Sequence, residues 1–282
     1  MRGNMEKIRI ITDSGSDLPA NYAEHLTIIP LTIHFGEEEY RDGENLTHEG
    51  FYEKLMACKD LPTTSLVPPG EFAAAFAAAR DAGETVVAVV LSSKLSGTWQ
   101  SAMVAAEDFD NVYVVDSMNA TLGEQILVKY ALRMAEQGMA AKDIAAELER
   151  AKEKVVLMGV PETLEYLHRG GRISKAVAVL GGALSIKPIL QLEEGVVGMM
   201  GKARGAKNAN NFMLQETRKR GVDFSRPFVL GYTGLSDAQL RRYIQDSGEL
   251  WANRPELPVS SVGATIGTHV GPGAIITAFF TE

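Results

Sequence analysis

Residues Thr85 to Ala106, TVVAVVLSSKLSGTWQSAMVAA, constrain the fold more than any other stretch. The uncharged run of Val, Ala and Leu predicts a strand buried on both faces, the kind found in parallel sheets. It breaks at Leu91-Ser92-Ser93-Lys94-Leu95-Ser96-Gly97-Thr98, after which Trp99, Met103 and Ala106 fall on one face of a helix. Hydroxyls and a glycine therefore stand where a buried strand becomes a helix. Free N–H groups and the positive end of the helix dipole favour an anion at such a point. Open α/β sheets also bind ligands at the carboxyl ends of their strands. The competing reading is that Ser96 or Ser93 caps the helix and does nothing else.

The flanking sequence places this unit in an α/β domain. Lys7 to Thr12 reads as a first buried strand, ending in the polar turn Asp13 to Pro19. Thr27 to Phe35 is β-rich, and Gly36 to Asn45 reads as an exposed hairpin and loop. Helices are expected from Thr47, over Pro69–Ala82, Leu122–Gln137 and Ala141–Lys154, with short strands at Asn111–Val115 and Val155–Val160. Between Leu61 and Gly70 the prolines forbid regular helix. Short links between alternating elements give the doubly wound pattern.

The second half mixes hairpins with helices. Helices are expected at Pro161–His168, from Ser174 to about Leu184, and over Ala206–Arg220 and Asp237–Asp246. Strands are expected at Pro188–Leu192, Val196–Ala203, Pro227–Thr233, Val259–Ile266 and Ala274–Phe280, with Gly267–Gly273 as a glycine-rich turn. The chain is thus divided into an N-terminal α/β domain, 1–154, with a parallel sheet, and a C-terminal α+β domain, 155–282, with a mixed or antiparallel sheet.

Composition narrows the function. A net charge of −8 argues against general nucleic-acid binding. Cys58 is the only cysteine, which removes disulfides within the chain and multi-cysteine zinc sites. The start MRGNMEKIRIITD has no long apolar segment, and no uncharged run is long enough to span a bilayer, so a cytoplasmic protein is expected. Gly-x-Ser-x-Gly and the P-loop motif are absent, and His25, His34, His48, His168 and His269 lack zinc-ligand spacing. Asp13 and Asp17 suit either Mg²⁺ or an acidic helix start. Ser96 with His269 admits a hydrolytic dyad. Arg169 and Arg172 around Gly170-Gly171 read either as a solvated helix end or as an exposed anchor for a partner.

Together the polar turns resemble one family. The motifs ITDSGSDLP (11–19), PTTSLVPPGEF (62–72), LSSKLSGTWQSA (91–102), VVDSMNATLG (114–123), LEYLHRGGRIS (164–174), KPIL with GKARG (187–190, 201–205) and IGTHVGPGA (266–274) are similar, in order and over the whole length, to those of the DegV family. These are bacterial fatty-acid-binding proteins that include the FakB subunits of fatty acid kinase. The resemblance implies a two-domain fold enclosing a long fatty acid. It places carboxylate binding on Thr64, Ser96 and His269, with Ser65 assisting, and kinase docking on Arg172. It further implies no catalysis by the chain itself, no metal and no cofactor beyond the bound lipid. The partner would be a DAK-type, ATP-dependent kinase subunit that makes an acyl phosphate for phospholipid synthesis, with no nucleic acid, no stable membrane insertion and at most transient membrane contact. At about 0.8 kcal/mol per buried CH₂, a chain of about C14–C18 gains on the order of 10 kcal/mol. The sequence departs from the family where Leu66 and Val67 replace a more polar rim, where Trp99 stands for a common tyrosine, and where His168 stands for a common lysine. A serine-dependent lipid hydrolase and a carrier of another apolar anion are the alternatives.

Overall fold

The computed structural model describes residues 6–174, 185–252, 254 and 256–282. The N-terminal half runs β1 (Ile8–Asp13), a 3-10 turn (Ser14–Ser16), β2 (Leu26–Ile29), β3 (Thr32–Phe35), β4 (Glu38–Arg41), α1 (His48–Ala57), β5 (Thr63–Ser65), α2 (Pro69–Asp81), β6 (Thr85–Val90), α3 (Thr98–Ala106), β7 (Val112–Asp116), α4 (Thr121–Glu136) and α5 (Ala141–Ala151). Four strands form a parallel sheet in the order β2-β1-β6-β7. The chain moves outward from β1 to β2 and then returns to β6 on the other side. That reversal puts the switch point, the usual ligand crevice of such sheets, between the carboxyl ends of β1 and β6. Strands β4, β3 and β5 make a separate antiparallel sheet.

The C-terminal half contributes β8 (Val155–Val160), α6 (Glu165–Arg169), β9 (Ile186–Glu193), β10 (Val196–Arg204), α7 (Ala206–Arg220), β11 (Val229–Tyr232), α8 (Ala238–Asp246), α9 (Gly248–Trp251), β12 (Val259–Ser261), α10 (Ala264–Val270) and β13 (Ile275–Phe280). Its six strands form a mixed sheet in the order β10-β9-β8-β13-β11-β12, antiparallel except for the β11–β12 pair. Glu194 and Gly195, both at positive φ (49° and 80°), form the two-residue turn between β9 and β10. Two positive φ values are what the twist of a tight hairpin demands.

Helix α4 explains how the sheets meet. Residues Thr121 to Val128 are buried in succession, so the helix has no solvent face over its first two turns. It packs on strands of both sheets, and Ile126 and Leu127 share one apolar core with Ile10 and Val89 on one side and Ile276 and Phe280 on the other. The opposite face of the mixed sheet carries a second core with Met158, Met213, Tyr243, Trp251 and Phe279.

Thr27–Phe35, expected to be β-rich, is β2 and β3, which lie in different sheets and are separated by Pro30 and Leu31. Within the 61–70 segment, where the prolines forbid helix, Thr63–Ser65 pairs with β3 as a strand. The strand expected over Val259–Ile266 stops at Ser261, and the expected glycine turn at 267–273 is largely helix α10. β-branched Val259, Thr265 and Ile266 favour a strand locally, but buried carboxylates from distant segments cap a helix there and override propensity. The helix expected from Ser174 falls on 175–184, outside the described residues.

Because Ile126 is fully buried between the sheets, Ile126→Ala is expected to lower stability by about 2–5 kcal/mol, seen as a lower urea midpoint at unchanged slope. Met56→Ala, at an exposed position, is expected to change it by less than about 0.5 kcal/mol.

Candidate functional site

The carboxyl end of β6 is held from several directions. Asp13, at the end of β1, accepts the backbone N–H of Leu91 at 2.8 Å, which fixes the level at which the strand ends. Ser92 donates to the carbonyl of Gly195 at 2.8 Å, tying the junction to the β9–β10 turn. Gly97 occupies the N-cap of α3 and offers no side chain. Ser96, one residue earlier, accepts the Thr98 N–H at 3.2 Å and shares a 2.9 Å hydrogen bond with the Thr98 hydroxyl. It therefore does part of a cap's work and also lines a cavity.

That cavity runs between the parallel and mixed sheets. Leu31, Leu157, Val160, Leu190, Leu192 and Ile276 supply apolar wall, and Thr64, Ser96, Arg172 and His269 supply polar groups. These polar groups are contiguous. Thr64 Oγ1 and His269 Nε2 lie 2.9 Å apart. Arg172 donates from Nε to the carbonyl of Leu95 (3.2 Å), beside Ser96, and from an Nη to the carbonyl of Gly170 (2.6 Å). Gly170 in turn lies directly against His269 Nδ1, and a Cβ at that position would collide with the ring. One end of an apolar cavity thus carries two hydroxyls, an imidazole and a guanidinium.

Strand alternation separates the neighbouring residues of β5. Thr64 faces the cavity, whereas Ser65 is exposed on the other side and meets His34 Nε2 at 2.7 Å. Ser65, expected to assist a bound carboxylate, is not among the residues that line the cavity. Arg172, expected to dock a partner, is half-buried and lines the cavity. His269 sits on α10, in its last turn, not in a glycine loop.

Burial, reinforced by the nearby charge of Arg172, pulls the His269 pKa from 6.5 to about 4, so the ring is neutral at pH 7. Its Nδ1 is buried and has no hydrogen-bond partner among the described residues. A neutral imidazole has one donor and one acceptor, and an orphaned buried N–H is rarer than an orphaned lone pair. The proton is accordingly assigned to Nε2, which donates to Thr64 Oγ1 and leaves the Thr64 hydroxyl hydrogen available to a ligand. Ser96 Oγ makes its hydrogen bonds within its own loop, and no described carboxylate orients His269, so a serine–histidine dyad is not assembled.

Carboxylates lie deeper, behind the strand ends. Asp17 accepts from Gly263 N at 2.7 Å and from Thr121 Oγ1 at 2.5 Å, and Asp13 from Gly15 N at 2.8 Å in addition to Leu91. Both are spent on the protein's own donors, which is the structural use of these residues. Burial raises the pKa of Asp13 to about 6 and those of Asp17 and Glu124 well above the ordinary carboxylate range. The lining role of Arg172 and the capping role of Asp42 described below were missed from sequence. Nothing in local spacing marks them.

Comparison with known proteins is consistent across sequence and structure. The profile of the DegV family, described as uncharacterised proteins, matches residues 7–282. A DegV domain-containing protein of Caldanaerobacter subterraneus subsp. tengcongensis is 36% identical over 99% of this chain and 100% of its own length. The structure of a fatty-acid-binding DegV family protein from Thermus thermophilus superposes with a TM-score of 0.87 at 33% identity, covering 98% of this chain and 100% of that one. DegV of Bacillus subtilis, a fatty acid binding protein, superposes with a TM-score of 0.82 at 32% identity, covering 98% and 100%. Among the described residues no helix is long and apolar enough to cross a membrane. A matching profile over nearly the whole length, with relatives above 30% identity at both levels, establishes that the chain belongs to the DegV family.

Proposed function

We propose that this protein holds a long-chain fatty acid in the cavity between its sheets and presents the carboxylate to a separate ATP-dependent kinase subunit, without catalysing a reaction itself. The observation that carries this reading is an apolar cavity whose lining brings together Thr64, Ser96, Arg172 and His269, with Thr64 and His269 hydrogen-bonded to each other. Burying a carboxylate is costly unless its oxygens receive hydrogen bonds. Ser96 and Thr64 are proposed as donors, His269 as the group that polarises Thr64, and Arg172 as the nearby positive charge. Charge-assisted hydrogen bonds of this sort are the stronger ones. Solvent access at Arg172 fits a second role, meeting the partner that delivers phosphate. Two domains, 1–154 and 155–282, a cytoplasmic location and an acyl-phosphate product destined for phospholipid synthesis complete the proposal.

The hydrolase reading loses support because Ser96 and His269 are bonded to different residues. A carrier of another apolar anion would use the same cavity and is separated by the ligand itself. Native mass spectrometry of the purified protein, with solvent extraction, is expected to show one fatty acid per chain. Protein that is empty and takes up no added fatty acid would sink the carrier reading.

Removing one donor to a charged group costs about 1.5–3 kcal/mol. Ser96→Ala is therefore expected to lower turnover by the kinase roughly 10- to 100-fold and His269→Ala, which frees Thr64, to lower it in the same direction, each with a smaller loss of chain affinity, since most of that affinity comes from methylenes. Equal losses in both assays would contradict this division.

The pH dependence has a definite sign. His269 is held near 4 in the fold against an ordinary 6.5, so between these values the unfolded chain binds the additional proton and stability falls as pH falls. Asp13, raised to about 6, acts in the opposite sense, and its contribution is shared by wild type and variant. His269→Ala is expected to flatten the acid side of the stability profile between pH 6.5 and 4 relative to wild type, as measured by urea midpoints.

A further inference from the structure

Helix α10 is short and badly equipped to stand alone. It has seven residues, and its N-cap, Gly263, has no side chain to satisfy the first free N–H groups. The missing cap comes from far upstream. The buried carboxylate of Asp42, at the end of β4, accepts Ala264 N at 3.2 Å, Thr265 N at 3.0 Å and Thr265 Oγ1 at 2.6 Å. Asp17 takes the Gly263 N–H. Asp42 is itself pinned, because its N–H donates to the Leu31 carbonyl at 3.0 Å.

The other end of α10 returns to the same small sheet. His269, its sixth residue, meets Thr64 on β5. β5 and β4 flank β3, where Ile33 is registered opposite both Thr64 and Tyr40. Both ends of one helix are thus docked on one three-stranded sheet, the start at Asp42 beyond β4 and the finish at Thr64 on β5. A helix turns about 100° per residue, so a slip of one position at the cap would swing the imidazole away from the cavity.

We infer that Asp42 is a positioning residue for His269: by capping α10 across the small sheet it sets the rotation of the helix and thereby the imidazole–Thr64 hydrogen bond at the cavity. The functional meaning of this anchorage rests on the carrier reading, whereas the anchorage itself can be read without lipid. A carboxylate is suited to the task because it accepts all three donors at once and complements the helix dipole. Asparagine would turn one acceptor into a donor facing a donor.

The test is long-range ¹H–¹⁵N NMR of histidine-labelled, delipidated full chain. In wild type, His269 is expected as a single tautomer protonated on Nε2, with a titration midpoint near 4. In Asp42→Ala, confirmed folded by circular dichroism, its nitrogens are expected to shift to tautomer-averaged positions and its midpoint to rise toward 6.5, with fatty-acid affinity weakened no more than in His269→Ala. Asp42→Asn should fall between the two. Should Asp42→Ala not fold, Thr265→Val decides: it keeps both backbone N–H bonds to Asp42 and removes the hydroxyl's bonds to Asp42 and Ser14, and a smaller displacement of the same sign is expected in the imidazole signals. Wild-type His269 signals in either folded variant would overturn the inference. If wild type binds no fatty acid, the carrier reading falls alone, and the imidazole signals still judge the anchorage.

Discussion

A carboxylate taken out of water must be given donors, and in this protein that requirement organises the site. Asp13, Asp17 and Asp42 are all buried, and each satisfies itself on backbone from a distant segment. Asp13 stops β6 at Leu91. Asp17 gathers Thr121 and Gly263. Asp42 starts α10. Net gains from buried charges are small or negative, but removing one partner leaves the other stranded. These bonds therefore act as conditions on geometry more than as sources of stability.

The site so assembled has a particular electrostatic character. Its imidazole is neutral, depressed by burial and by Arg172, and its hydroxyls carry no charge. Arg172 is the cation, and its described hydrogen bonds go to the carbonyls of Leu95 and Gly170. Such a constellation suits an anion that must be held without being trapped. In the proposed function, the apolar wall would contribute affinity in proportion to the surface that it removes from water, and the polar residues would set which way round the ligand lies. That separation of tasks is why losses at Ser96 or His269 are expected to differ between binding and presentation.

Much of the fold was legible because it rests on local patterns. The uncharged strands β1 and β6, the alanine-rich α2 with Pro69 at its start, and the Glu194-Gly195 hairpin follow from side-chain periodicity and backbone conformation. Thr64, Ser96 and His269 were found as residues of recurrent motifs, and the structure brings them to one cavity. The failures share a cause. Residues 259–270 read as strand and turn because Asp17 and Asp42, which cap the helix, lie more than 200 positions away. Ser65 and Thr64 are neighbours in sequence, but adjacency in a strand means opposite faces, which only the pairing of β5 reveals.

The sequence by itself determined the elements, the polar strand ends and the family to which the chain belongs, since each is written in neighbouring residues. Only the tertiary structure decided which hydroxyls face the cavity, that Arg172 joins them, and that α10 forms where it does. Those outcomes depend on donors and acceptors separated by long stretches of chain, and on the burial that makes their pairing obligatory.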